Sequence, residues 1–317
     1  MMRRALLIGI DDYPDAPLEG CVNDAKAMAR ILQRNHDGSA NFSPPKIVTS
    51  DTDKITRANL LARIDRLFRD EADVALLYFA GHGTATQLDG FLVTPDAKKY
   101  NEGVGLTEVL ALANASKVSE KVIILDSCYS GAFGQVPATS SDLANIREGV
   151  SVLTASRSTQ TAAEINGRGV FTWLVCSALE GGAADVLGKV TVPSIYAYVD
   201  EALGPWEQRP LFKSHVSKLV ALRQGQPAVV LETLRRLPEW FPTPDSQFPL
   251  DSSYEPDASP PHPEHEAVFA QLQKCRAVKI VEPVGEDHMY YAAMNSKACQ
   301  LTALGQHYWR QAKEGHI

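Results

Sequence analysis

The chain has 317 residues, a formal net charge of -7, and 44% hydrophobic against 22% charged residues. That length holds one large domain plus a small one, and the balance is that of a folded globular protein rather than a disordered one. No basic cluster stands out, which excludes nucleic acid as a main partner, and no apolar run is long enough to span a bilayer, so no membrane partner is expected.

The first ten residues end at Asp11 and Asp12, so they read as a strand over 3–10 rather than a signal peptide. A turn rich in Asp and Pro follows. Residues 18–33 have helical periodicity, with Cys21, Val22, Ala25, Met28, Ala29 and Leu32 on one face. A short strand over 46–49 and an amphipathic helix over 55–68 come next. Then follow a strand to Ala80, an extended piece at 91–93, a helix over 106–115 and a strand to Asp126. Strand 149–155, helices 170–179 and 194–203, and a closing strand over 216–222 complete the pattern. Strands alternating with helices predict an α/β three-layer sandwich around a mostly parallel central sheet.

Composition shifts near Gln226. Residues 226–262 are dense in Pro, Ser and Asp and read as a Pro-rich linker between a domain over 1–225 and a small α+β module over 263–317. In that module a helix over 265–277, a hairpin of 278–282 with 289–293 around Gly285, and a helix over 301–312 are expected. A unit of that size is small for independent stability. It is expected to dock on the main domain, on a regulatory protein partner, or on a second copy as a homo-oligomer.

The five cysteines (Cys21, Cys128, Cys176, Cys275, Cys299) are odd in number and include no CxxC pair, so no metal site is expected. A reducing, cytoplasmic setting follows. His262, His265 and His288 form no ligand pattern with them.

Two strands end at reactive residues. One runs into Gly81-His82-Gly83, the other into Asp126-Ser127-Cys128. Ligands and chemistry sit at the carboxyl ends of strands in open α/β sheets. One imidazole and one thiol therefore share a sheet edge, the minimum for a thiol nucleophile with a general base. Taken singly, His82 reads equally as a histidine in a tight turn and Cys128 as a packing residue.

The order of motifs carries a resemblance. Ala5-Leu-Leu-Ile-Gly9, Leu18-Glu-Gly-Cys21-Val-Asn-Asp24-Ala, Tyr78-Phe-Ala-Gly-His82-Gly83 and Leu125-Asp-Ser-Cys128-Tyr-Ser-Gly131 come first. Leu153-Thr-Ala-Ser156 with Gln160-Thr-Ala-Ala-Glu164, and Gly169-Val-Phe-Thr172, follow. In this set and order the chain resembles a caspase-like cysteine peptidase (peptidase C14), nearer to the bacterial and metacaspase branch than to animal caspases. His82 and Cys128 lie about 45 residues apart, close to the spacing of a caspase pair. Tyr129 stands where the family usually has His after the nucleophile.

The resemblance implies an endopeptidase acting on a protein or peptide substrate. Cys128 would be the nucleophile and His82 the base, which then protonates the leaving amine. The backbone N–H groups of Cys128 and Gly83 would hold the oxyanion, with no third triad residue evident or required. It also implies an acidic first specificity pocket that selects Arg or Lys. Asp24 and Asp126 would supply the charge, Cys21 and Ala80 the walls, and Ser156 a further substrate contact. The plain alternative is an early-helix acid and a strand-end acid with structural roles.

Some metacaspases use calcium. Asp89 and Asp96 lie in the matching region, but Leu106-Thr107-Glu108 replaces the expected acidic pair, so no calcium requirement and no other cofactor is expected. The tail from Cys299 to Trp309 resembles the last part of a winged-helix module, with too few basic residues for nucleic acid. The loop over 132–148, rich in Gly, Ser, Thr and Ala, carries a basic self-cleavage candidate at Arg147. Two functions from different classes remain: a regulated effector peptidase of bacterial stress or antiphage defence, and a non-catalytic scaffold assembling through its C-terminal module. The intact His82/Cys128 pair favours the first.

Overall fold

The long strands of this chain are apolar runs that need cover on both faces. The computed structural model describes residues 2–86, 89–127, 146–155, 164–165, 167–203 and 210–317. They fall into two units: Met1–Ala184 with Lys189–Gln226, and Asp185–Gly188 with Pro227–Ile317.

The first unit begins β1 (Arg3–Gly9), α1 (Cys21–Gln33), β2 (Lys46–Thr49), α2 (Arg57–Arg69) and β3 (Val74–Ala80). The strands β4 (Gly83–Ala85), β5 (Gly90–Lys98) and β6 (Asn101–Gly105) lead into α3 (Leu106–Ala115) and β7 (Glu120–Asp126). Then come β8 (Val150–Thr154), β9 (Glu164–Ile165), β10 (Arg168–Gly169), α4 (Val170–Ser177) and β11 (Lys189–Thr191). α5 (Val192–Leu203), β12 (Leu211–His215) and β13 (Ala221–Gln224) complete it.

The central sheet has the order β12-β8-β7-β3-β1-β2. Its pairings are parallel except β12 with β8. Successive side chains of a strand point to opposite faces, and the core divides accordingly. Leu7, Leu76, Tyr78 and Ile124 pack with Met28 and Leu32 of α1, Val175 of α4 and Val199 of α5. Leu6, Ile8, Leu77, Phe79 and Ile123 pack with Leu60 and Ile64 of α2 and Val109 of α3. The result is the three-layer α/β sandwich with a mostly parallel sheet. α2 starts on a reciprocal cap between Thr56 and Asn59.

Two details differ from expectation. The sheet is closed by β12, antiparallel to β8, rather than by residues 216–222. Residues 221–224 instead form β13, which pairs with β11 in a separate two-stranded ribbon. The piece at 91–93 belongs to a longer β5 that pairs with β4 and β6.

The second unit contains α6 (Leu231–Arg235), α7 (Leu237–Trp240), β14 (Gln247–Pro249) and α8 (Pro263–Ala277). β15 (Val281–Val284), α9 (Met289–Met294), β16 (Ala298–Leu301) and α10 (Ala303–Lys313) follow. Its antiparallel sheet has the order β14-β16-β15. The expected linker is not one. Leu234, Leu237, Trp240, Phe241, Leu250 and Tyr254 are buried with Phe269, Leu272, Ile280 and Trp309. Among the prolines that suggested a linker, Pro238 stands in the first turn of α7 and Pro249 at the end of β14, and Pro263 just beyond opens α8; at such element ends a missing N–H costs little. The expected hairpin is also corrected: β15 pairs with β16, and 289–294 is helical.

Candidate active site

β1, β3 and β7 stop level with one another, with Gly9 paired to Ala80 and Ala80 to Asp126. The chain leaves this edge through residues 10–20, through 81–83 and through Ser127. The site is built on those exits. Cys128 and Ser156 lie outside the described residues.

His82 is half-buried just past β3. Its Nε2 lies 2.6 Å from the carbonyl oxygen of Ala16. A carbonyl can only accept, so Nε2 carries the hydrogen and Nδ1 is left as the basic nitrogen. The imidazole also packs on Tyr13, with ring centroids 4.6 Å apart. Both contacts come from the loop after β1. That loop is tied down by Asp11, whose carboxylate accepts the N–H groups of Cys21 at 2.8 Å and Val22 at 3.2 Å at the start of α1. Gly83 begins β4 and pairs with Leu92.

The two expected pocket acids do come together. A side chain at Gly169 would begin 2.6 Å from Asp126 Oδ2 and 3.1 Å from Asp24 Oδ2. Only a glycine fits between two such carboxylates without displacing them. Asp24 accepts the Gly169 N–H at 2.9 Å and meets Arg168 Nε at 3.4 Å. Burial raises its carboxyl to about 7, and neighbouring Asp126 pushes the same way, while the Gly169 N–H and Arg168 oppose the rise. Asp126 accepts Thr172 Oγ1–H at 2.6 Å, and Tyr78 Oη stands 2.6 Å from the same hydroxyl. Since Thr172 spends its hydrogen on Asp126, Tyr78 donates to Thr172, and the relay fixes the carboxylate. Ala80 is the register partner of Asp126, and Cys21 precedes Asp24 by one helical turn. Both are buried.

The acids of the calcium region are engaged within the protein. Asp89 accepts the N–H of Gly90 at 2.8 Å. Asp96 accepts the N–H of Arg57 at 3.0 Å. Glu108 accepts the Arg57 guanidinium at 2.8 and 2.9 Å. Of the described cysteines, Cys176, Cys275 and Cys299 have thiols pushed by burial to about 12. They are poor nucleophiles at neutral pH.

Tyr13, the Ala16 carbonyl, Arg168 and the Tyr78–Thr172 relay had no assigned role in the sequence. Tyr78 and Thr172 did lie within quoted motifs, but only as matches. A backbone carbonyl leaves no residue-type signal at all.

Residues 2–221 match the caspase domain, Peptidase C14. The chain belongs to the caspase-domain family of cysteine peptidases. No curated protein matches it at a significant level. A crystal structure of a protein from Geobacter sulfurreducens is similar with a TM-score of 0.51 at 16% identity, over 72% of this chain and 98% of that one. Caspase-1 from Spodoptera frugiperda gives a TM-score of 0.51 at 13% identity, over 71% of this chain and 91% of its own. At these identities the likeness is one of fold, and it matches the caspase domain's mostly parallel sheet flanked by helices.

Proposed function

We propose that this chain is a cysteine endopeptidase that cuts proteins after Arg or Lys. The observation that carries the reading is an oriented imidazole and a converging pair of carboxylates at one sheet edge. Cys128 Sγ, as a thiolate, attacks the scissile carbonyl. His82 Nδ1 takes the thiol proton and returns it to the leaving amine, while Ala16 holds the other ring nitrogen. The N–H groups of Cys128 and Gly83 stabilise the oxyanion. Asp24 and Asp126 receive the substrate cation. Arg168 offsets one of the two charges, which leaves the pair suited to a single cation and hostile to Asp. Cys21 and Ala80 form walls beside the acids, and Ser156 is a further substrate contact.

The family match ends at residue 221. The second unit is assigned a regulatory role, through a protein partner docking on 263–317 or through self-assembly. Truncation after residue 226 should therefore change activity. The setting as a cytoplasmic effector of stress or antiphage defence rests on resemblance alone.

The test is cleavage of peptides bearing Arg, Lys or Asp at the scissile position, with wild type, Cys128→Ala and His82→Ala. Wild type should cut after Arg and Lys, and both variants should lose at least about a thousandfold. Equal cleavage by the Cys128→Ala protein contradicts the assignment. Preference for Asp contradicts the acidic pocket.

A further inference from the structure

His82 stands between two glycines, the residues that restrain a backbone least. A base must nevertheless be held to within a fraction of an ångström to work. Tyr13 supplies the missing restraint. Its Oη accepts the His82 backbone N–H at 3.0 Å and donates to the Val93 carbonyl at 3.2 Å. The Val93 N–H returns to the His82 carbonyl at 3.0 Å. Both backbone groups of His82 are thus closed onto β5, one of them through the phenol. The same residue's ring covers the imidazole, tilted 57°.

The glycine before His82 belongs to this arrangement. A Cβ on Gly81 would stand 2.5 Å from Tyr13 Oη, so Gly81 opens the space in which the hydroxyl reaches the backbone. Tyr13 is 7% exposed. Burial raises its phenol pKa, so the hydroxyl keeps its hydrogen and remains a donor to Val93.

We propose that Tyr13 is a positioning residue for His82, clamping the backbone and packing its tilted ring against the imidazole so that Nε2 stays on the Ala16 carbonyl and Nδ1 stays free for proton transfer. Its effect on rate rests on the peptidase reading; its effect on the imidazole does not.

The test uses full-length wild type, Tyr13→Phe and Tyr13→Leu. Phe keeps the ring and removes the hydroxyl, while Leu removes both. The expected result for Phe is a loss of about tenfold in kcat on an Arg peptide with KM unchanged, on the scale of losing the hydroxyl and its two hydrogen bonds. Leu should lose more. In a Cys128→Ala background, ring-nitrogen NMR shifts of His82 should report an Nε2–H imidazole with Tyr13 and a mixture of the two tautomers with Phe. Unchanged kcat and unchanged ring shifts in Tyr13→Phe would overturn the proposal. So would equal changes in kcat and KM with the tautomer intact. If wild type cuts no peptide, the peptidase reading falls alone and the NMR comparison still decides the role of Tyr13. If the Leu variant does not fold, the Phe variant carries the test.

Discussion

Replacing Asp24 with Asn should remove a pH dependence that the wild type carries near neutrality. Folding raises the Asp24 carboxyl from 3.8 to about 7, chiefly through burial. At pH 6 about one molecule in ten has this group ionised, and at pH 8 about nine in ten. The Gly169 N–H and Arg168 oppose the rise, while Asp126 adds to it. A guanidinium without a scissile bond, such as agmatine, would read the proposed pocket separately from the chemistry proposed at Cys128. Its inhibition constant against wild type should tighten about tenfold from pH 6 to pH 8. Asp24→Asn should bind it weakly, with a constant that does not move over that range. The same proton links to folding. Because the folded pKa is raised, the stabilising contribution of Asp24 is complete below 3.8 and is lost as pH rises through about 7. Asn at this position flattens that decline. A constant inhibition constant in wild type, or an equal slope in the variant, would refute this account of the pocket.

Gly169→Ala puts a methyl group 2.6 Å from Asp126 Oδ2. It should raise KM for Arg peptides while leaving alkylation of Cys128 by an uncharged reagent within about twofold of wild type, both measured on the same preparation. Tyr78→Phe removes the donor to Thr172, at 2.6 Å in a fully buried site. It should cost about 1 kcal/mol of stability in chemical denaturation and weaken recognition of Arg. Arg147 precedes β8, whose first residue pairs with Lys121 near the start of β7, whereas His82 lies beyond the opposite ends of the strands. A strand of five residues separates those edges by about 16 Å. Any cut at Arg147 should therefore pass between molecules, at a rate that rises with protein concentration. A concentration-independent rate would count against that.

The strands that position the site were legible because they are uninterrupted apolar runs with chemistry at their ends. The helix expected at about 106–115 is α3, and its ends fall at Gly105 and Ser116. Asp24 and Asp126 were reached only through the order of motifs. Nothing in their separation by about a hundred residues tells a reader that Gly169 brings them together. Tyr13 and Thr172 act through single hydroxyls on distant elements, and hydroxyl bonds carry no period. Residues 289–293 read as a strand because the helix of six residues found there is too short to display a 3.6 repeat, and paired tyrosines favour strands. The prolines of 226–262 misled for a different reason: composition reports how many there are, and position decides whether they break anything.

The most direct measurement of the central claim is covalent capture with peptidyl acyloxymethyl ketones bearing Arg or Asp next to the reactive carbon, followed by peptide mapping. The account predicts that the Arg reagent modifies Cys128 in wild type, that Asp126→Ala slows this while His82→Ala abolishes it, and that Cys176, Cys275 and Cys299 stay unmodified. Preferred capture by the Asp reagent, or modification at a cysteine other than Cys128, would contradict it.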